Sequence, residues 1–295
     1  MIKRLKYSEI DFDKYSKCLN GSVQKNWYAQ KEILDVLSGN WQILVYGDYD
    51  AVMPIPLIRK TGIDIVSMPL FCQQLGIFSK IDNPQTNDKF LKFLKKNYTI
   101  FYYCFNNKNR FLENLDKKKN YIIPISDYAV LKRKKYFKGR KSTVKWAQHL
   151  FYREINLDAD SISFIENNVI GLSKKSDIEK LKKYIEFLNS IESLKLCGAY
   201  LNEELINLAV LIREQEQFSL LSLANNDFYK NENGASFLID KILENYIHKK
   251  SFNFMGSNIR GIEIFFKSFG GELEEYGFIQ NKFLQKIFTI KNALF

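Results

Sequence analysis

The sequence predicts an α+β (α/β) fold built as two structurally similar halves. Three observations predict it. Segments with helical spacing of apolar residues alternate with short apolar or alternating runs of strand character. The order helix, strand–turn–strand, strand, helix, strand occurs once in each half, at an offset of about 150 residues. Near the C-terminal end, Ser251 to Met255 reads as a strand running into a small-residue turn and then an amphipathic helix, the stretch Asn253 to Tyr276. In α/β proteins such a junction can bring backbone N–H groups to an anionic or polarised ligand.

Taken in order, Asn26 to Ser38 places Trp27, Ile33, Leu34 and Leu37 on one helical face, and Gly39-Asn40 ends it. The runs WQILVYG and AVMPIPLIRK, joined through Asp48-Tyr49-Asp50, read as a hairpin. Pro54 and Pro56 predict an edge or bulged position for its second strand, because proline cannot donate to a ladder. A further strand breaks into an irregular loop at Pro69. Asp88 to Asn97 is a helix, and TIFYYCFNN a buried strand. The second half repeats this series. Asp177 to Ser190 is its helix, SLKLCGAYLNEELINLAVLIRE its strand–turn–strand, with Gly198-Ala199-Tyr200 matching Gly47-Asp48-Tyr49. QFSLLSLA, SFLIDKILENYI and SFNFMGSN complete it. The domains follow as 1–125, a basic connection 126–150, and 151–295.

That connection is dense in charge, with eight Lys or Arg between Lys132 and Lys145 and Tyr136, Phe137 and Trp146 within or beside them. Cations interleaved with aromatics can grip single-stranded nucleic acid. A solvated helix whose aromatics pack inward would read the same way. The whole chain carries a net charge of +11, which favours phosphate-bearing partners such as nucleotides, coenzyme A, tRNA or anionic lipid without choosing among them. Cys18, Cys72, Cys104 and Cys197 lack paired spacing, and His149 and His248 stand far apart, so neither a metal nor a disulfide framework is expected. Cys104, inside an apolar strand, reads as a core residue rather than a nucleophile. With no apolar leader and no stretch long enough to span a bilayer, a cytoplasmic protein is expected.

The run from Gly234 to Tyr276 resembles the closing segment of FemAB-like and related acyltransferases of the GNAT superfamily. Phe266-Lys267-Ser268-Phe269-Gly270 is similar to the family's Phe-Lys-x-x-Phe-Gly helix end, and Phe254-Met255-Gly256-Ser257 to its strand-end turn. MPLFCQQLGIFS and YIIPISDY followed by GRKSTVKWAQ are similar to a first-domain loop and to the entry into the second domain. The resemblance implies tandem GNAT-like domains, each a mixed, mostly antiparallel sheet flanked by helices, the first degenerate and the second holding the cleft.

It also implies an N-acyltransferase or aminoacyltransferase, moving an acyl group from a thioester or ester to the amine of a small molecule, amino-sugar or peptide precursor. Lys267 becomes the catalytic candidate, stabilising an oxyanion or the donor's phosphate. A solvated lysine on the polar helix face is the plain alternative. Gly256, Ser257, Asn258 and Arg260 are the substrate-binding candidates of the turn, and Gln73 and Gln74 those of the first domain. Strand residues Phe218 to Ala224 would offer backbone N–H groups to the donor. Asn231, Gly234 and Ser236 occupy the position of the coenzyme-A phosphate loop, without its initial cation or Gln. No tightly bound cofactor is expected. Acetyl-CoA or another acyl-CoA, an acyl-carrier protein or aminoacyl-tRNA remains open as donor. No Tyr lies between Ile259 and Gly270 to act as general acid, so Tyr246 or Tyr276 would serve, or none is needed. The other class of reading is a non-catalytic binding protein on the same scaffold, recruiting RNA or another phosphate-bearing partner through its basic surface.

Overall fold

A computed structural model describes residues 1–60, 62–256, 258–282 and 284. The chain forms two compact units, 1–118 with 275–295, and 119–274. Residues 126–150, which the sequence sets apart as a connection, lie inside the second unit.

In the first unit the elements are β1 (Ile2–Leu5), α1 (Phe12–Asn20), α2 (Lys31–Ser38), β2 (Trp41–Tyr46), β3 (Ala51–Lys60), β4 (Ile63–Ser67), β5 (Phe78–Ser79), α3 (Pro84–Asn97) and β6 (Thr99–Cys104). The strand β7 (Asp116–Ile123) leads into the second unit. There follow α4 (Tyr128–Lys134), α5 (Lys138–Trp146), β8 (Phe151–Ile155), α6 (Ala159–Asn168), α7 (Lys175–Ser190), β9 (Leu194–Leu201), β10 (Glu204–Arg213), β11 (Gln217–Asn225), α8 (Gly234–Tyr246), β12 (Ser251–Asn253) and α9 (Arg260–Ser268). The last strand, β13 (Glu272–Gln280), returns to the first unit and pairs antiparallel with β6.

Each unit repeats one plan. The first runs β1-β2-β3-β4-β6-β13, with β5 beside β3, and the second runs β8-β9-β10-β11-β12-β7. Within each, one pair is parallel, β4 with β6 and β11 with β12, and a helix links its two strands, α3 or α8. The other pairings described are antiparallel. Mixed, mostly antiparallel sheet with flanking helices is thus the architecture, and the repeated order read from the sequence is real.

Three local readings change. The first-half helix begins at Lys31, not Asn26, because Asn26 is tied up in side-chain bonds. Its Oδ1 accepts from Ala29 N–H, and its Nδ2 donates to the Gln74 carbonyl. β3 is an interior strand despite its prolines. Leu57 N–H points to Asn40 beside β2, so the odd-numbered amides face β2 and those of positions 54 and 56 would face the other side. There β5 pairs only with 51–52 and β4 only with 57–60, so both prolines fall where no ladder bond is required. Gly198 lies inside β9, and the turn of that hairpin is Asn202-Glu203, with Asn202 at φ 54°.

What Gly198 supplies is room. A Cβ there would sit 2.5 Å from Ile155 Cδ1 and 2.8 Å from Leu205 Cδ1. Gly198→Ala should therefore cost about 1–3 kcal/mol in chemical denaturation, the usual cost of overpacking. An unchanged midpoint would show that those side chains move aside freely.

The core of the second unit gathers Phe218, Phe237, Ile239, Ile242, Phe252 and Phe254 with the ends of α4, α5 and α9. Phe254 stacks on Phe266 at 4.3 Å and 22°, which fixes α9 against the end of β12.

Candidate active site

The turn from β12 into α9 is built by asparagines. Met255 N–H donates to Asn253 Oδ1 at 2.8 Å, Gly256 N–H to the buried Asn120 Oδ1 at 3.0 Å, and Lys119 N–H to Asn258 Oδ1 at 3.3 Å. Gly256 has φ 140°, open to glycine and strained for other residues. The amides of Met255 and Gly256 are therefore already engaged within the turn. Arg260 is exposed at the start of α9, and Ser257 lies outside the described residues.

Lys267, one turn after Glu263 on α9, donates to its carboxylate at 2.6 Å. Two residues from β7 converge on the same carboxylate: Lys119 Nζ at 3.1 and 3.2 Å, and the hydroxyl of the buried Tyr121 at 2.8 Å. Positions 119 and 121 share one face of a strand, which is why both arrive together. Bonds from Lys267, Tyr121 and Lys119 lower the Glu263 pKa to about 2. The carboxylate in turn raises that of Lys267, and burial with the bond to Glu263 raises that of Tyr121. The group holds two ammonium ions on one carboxylate, a net positive charge with Lys267 still 42% exposed. These bonds favour the ionised form of Glu263 and the protonated form of Lys267.

This group carries a pH signature. Glu263 falls from an ordinary 4.5 to about 2 on folding, so its contribution to stability is complete above about 4.5 and is lost as pH drops to about 2. The melting temperature of Glu263→Gln should lie below that of the native chain at pH 6, and the gap should close between pH 4.5 and 2. A gap that stays constant with pH would contradict the assignment.

The start of α8 forms a second locus. Asn233, at φ 60°, is its N-cap, and the Ser236 N–H donates to the Asn233 carbonyl. The amides of Gly234 and Ala235 make no hydrogen bond among the described residues. A Cβ on Gly234 would lie 1.7 Å from Asn207 Oδ1, so only glycine fits. Asn231 lends its carbonyl to Asn233 Nδ2. Ser236 Oγ accepts from Arg140 Nη1, and Arg140 Nε donates to Ser268 Oγ at 2.8 Å. The Arg140 guanidinium lies 4.5 and 4.6 Å from the Phe265 and Phe269 rings, and no carboxylate lies within ion-pair distance of it among the described residues. Burial lowers its pKa. α5 thus places a guanidinium beside the first turn of α8.

Between these loci, β12 follows β11 for only three residue pairs, ending at Ser219 with Asn253. β11 then bulges at Leu221, where the register to β10 shifts, and further on Val169 bridges Ala224. Bulges commonly re-aim a strand beside a site. The Ser222 hydroxyl beside this bulge is buried with no hydrogen-bond partner among the described residues.

Other candidates are placed elsewhere. Gln74 is buried in the first unit, accepting from Asn107 N–H at 2.8 Å, with Gln73 beside it. Tyr246 packs on Phe218 and its hydroxyl is bound to Glu154, while Tyr276 belongs to the first unit. All four cysteines are free, and burial pushes the Cys104 thiol up to about 11. Among the described residues no His, Cys, Asp and Glu group could hold a metal, and no helix is long and apolar enough to cross a membrane.

No family model and no curated protein matches this sequence. Solved structures do match its fold. The chain superposes on FemX with a TM-score of 0.64 at 10% identity, covering 97% of this chain and 99% of that one. L-PGS from Bacillus licheniformis gives 0.52 at 10%, covering 95% and 94%. A tandem GNAT protein from the clavulanic acid biosynthesis pathway gives 0.50 at 7%, covering 94% and 97%. The chain thus shares the fold of FemX and of a tandem GNAT protein.

Proposed function

We infer that the second unit transfers an acyl or aminoacyl group from a phosphate-bearing thioester or ester donor to an amine. The observation that carries this is Lys267, held as a cation by Glu263 at 2.6 Å while its ammonium stays accessible. Acyl transfer to an amine develops negative charge on the donor carbonyl, and a fixed cation aimed at that oxygen stabilises the transition state. Lys267 does not take the proton from the attacking amine, since it is itself protonated. The amine must arrive neutral, and the rising limb of a pH–rate profile should report the acceptor.

The α8 corner supports a donor carrying phosphate. Two amides at a helix start that are unengaged among the described residues, next to an Arg that no described carboxylate neutralises, suit a phosphate oxygen. Coenzyme A, an acyl-carrier phosphopantetheine and the terminal phosphates of aminoacyl-tRNA share that chemistry. An amino-sugar, a small amine or a peptide precursor remains the acceptor class.

The test is mass-spectrometric detection of N-acyl product. The full chain is incubated with acetyl-CoA, acyl-carrier protein or a mixed aminoacyl-tRNA pool, each against a panel of amines. Product from one donor class with the native chain supports the reading. Absence of product from all three would overturn it in favour of the non-catalytic binding protein.

A further inference from the structure

The segment from Lys132 to Lys145 holds eight Lys or Arg and no acid. The structure separates its aromatics. Tyr136 is buried against Phe269, but Phe137 and Trp146 are 51% and 72% exposed and have no ring partner among the described residues. Their exposure is not a packing gap, because Leu131, Val144 and Ala147 already fill the inward faces of α4, α5 and the turn that follows. Of the cations, Lys132 pairs with Asp240 and Lys135 lies 3.7 Å from Glu272. Among the described residues no carboxylate comes within 4.0 Å of Arg133, Lys134, Lys138, Arg140, Lys141 or Lys145. Four of these, Arg133, Lys134, Lys138 and Lys145, are exposed.

We propose that the outer face of α4 and α5 binds a single-stranded nucleic acid. Its phosphates lie along the exposed cations, and its bases stack on Trp146 and Phe137. Positive charge alone would take any polyanion. The two bare rings select one whose planar groups are free, which a duplex does not offer. A bilayer surface fits less well. Phe137 is the N-cap of α5 and Trp146 its last residue, so the two rings stand at opposite ends of the helix, roughly 13 Å apart, rather than forming one apolar patch. A flexible strand can reach both. This inference does not depend on acyl transfer, since a chain without that activity can still bind here.

The test uses fluorescence anisotropy of a labelled 12-residue oligouridine with the full chain, over about 50 to 200 mM salt. Binding should weaken with salt at a slope of about 0.7 per phosphate contacted. Trp146→Ala should weaken it about tenfold and leave the slope unchanged. The double variant Lys138→Gln with Lys145→Gln should lower the slope by about 1.4. All three positions are exposed, and circular dichroism checks that both variants fold. No binding at the lowest salt, equal affinity in Trp146→Ala, or equal binding of a duplex of the same length would overturn the proposal. So would displacement of the oligouridine by phosphatidylglycerol vesicles that bind with the same dependence on these residues.

Discussion

Replacing Lys267 by Ala should lower kcat for acyl transfer about 10²- to 10³-fold, the usual loss when one preorganised oxyanion donor is removed. The fold should survive. Glu263 keeps Lys119 and Tyr121 as partners when Lys267 is gone, so its carboxylate is not stranded. If the ammonium acts only in the transition state, kcat and kcat/KM fall together and KM stays near its native value. If it instead binds the donor's phosphate in the ground state, KM for the donor rises and kcat is preserved. Lys267→Arg separates charge from placement. It keeps the cation, but its planar head cannot reproduce the 2.6 Å contact to Glu263 and the approach to the Tyr121 ring at once, so it should recover only part of the rate. Native turnover in Lys267→Ala, on an identified substrate pair, would remove this residue from the mechanism.

Legibility in the sequence followed sequence distance. Local signals were readable: Phe266-Lys267-Ser268-Phe269-Gly270 marks the end of a helix, Gly39 ends α2 at φ 63°, and the strand order of the halves repeats. The partners that give Lys267 its meaning were not. Lys119 and Tyr121 come from β7, more than 140 positions away, and only strand pairing brings that face to α9. Arg140 was visible as one of eight basic residues, yet nothing in a charge run tells which member turns inward. The prolines of β3 misled for a related reason. Their missing N–H groups are tolerable in an interior strand only because β4 and β5 leave a gap there, a property of two other strands.

The largest stability effect should come from Asp240, on α8. Its side chain is 1% exposed and accepts from both Tyr128 Oη, at 3.0 Å, and Lys132 Nζ, at 3.0 Å. Lys132 also donates to the Tyr128 hydroxyl at 2.7 Å, so three groups close a ring that fastens α4 to α8. Burial and the neighbouring Asp240 charge push the Tyr128 hydroxyl well above its ordinary pKa, which keeps it a donor. Asp240→Ala leaves the Lys132 ammonium and the Tyr128 hydroxyl facing a cavity, and should cost about 3 kcal/mol in urea denaturation. The same physics predicts recovery. An ion pair replaced whole by apolar groups of similar volume is often neutral, because desolvation of both charges is avoided. Asp240→Leu with Lys132→Met and Tyr128→Phe should therefore be more stable than Asp240→Ala by about 2 kcal/mol. Equal stability of the two variants would mean that neither the cavity nor the stranded charge accounts for the loss in Asp240→Ala. Native stability in Asp240→Ala would mean that the ring does not fasten α4 at all.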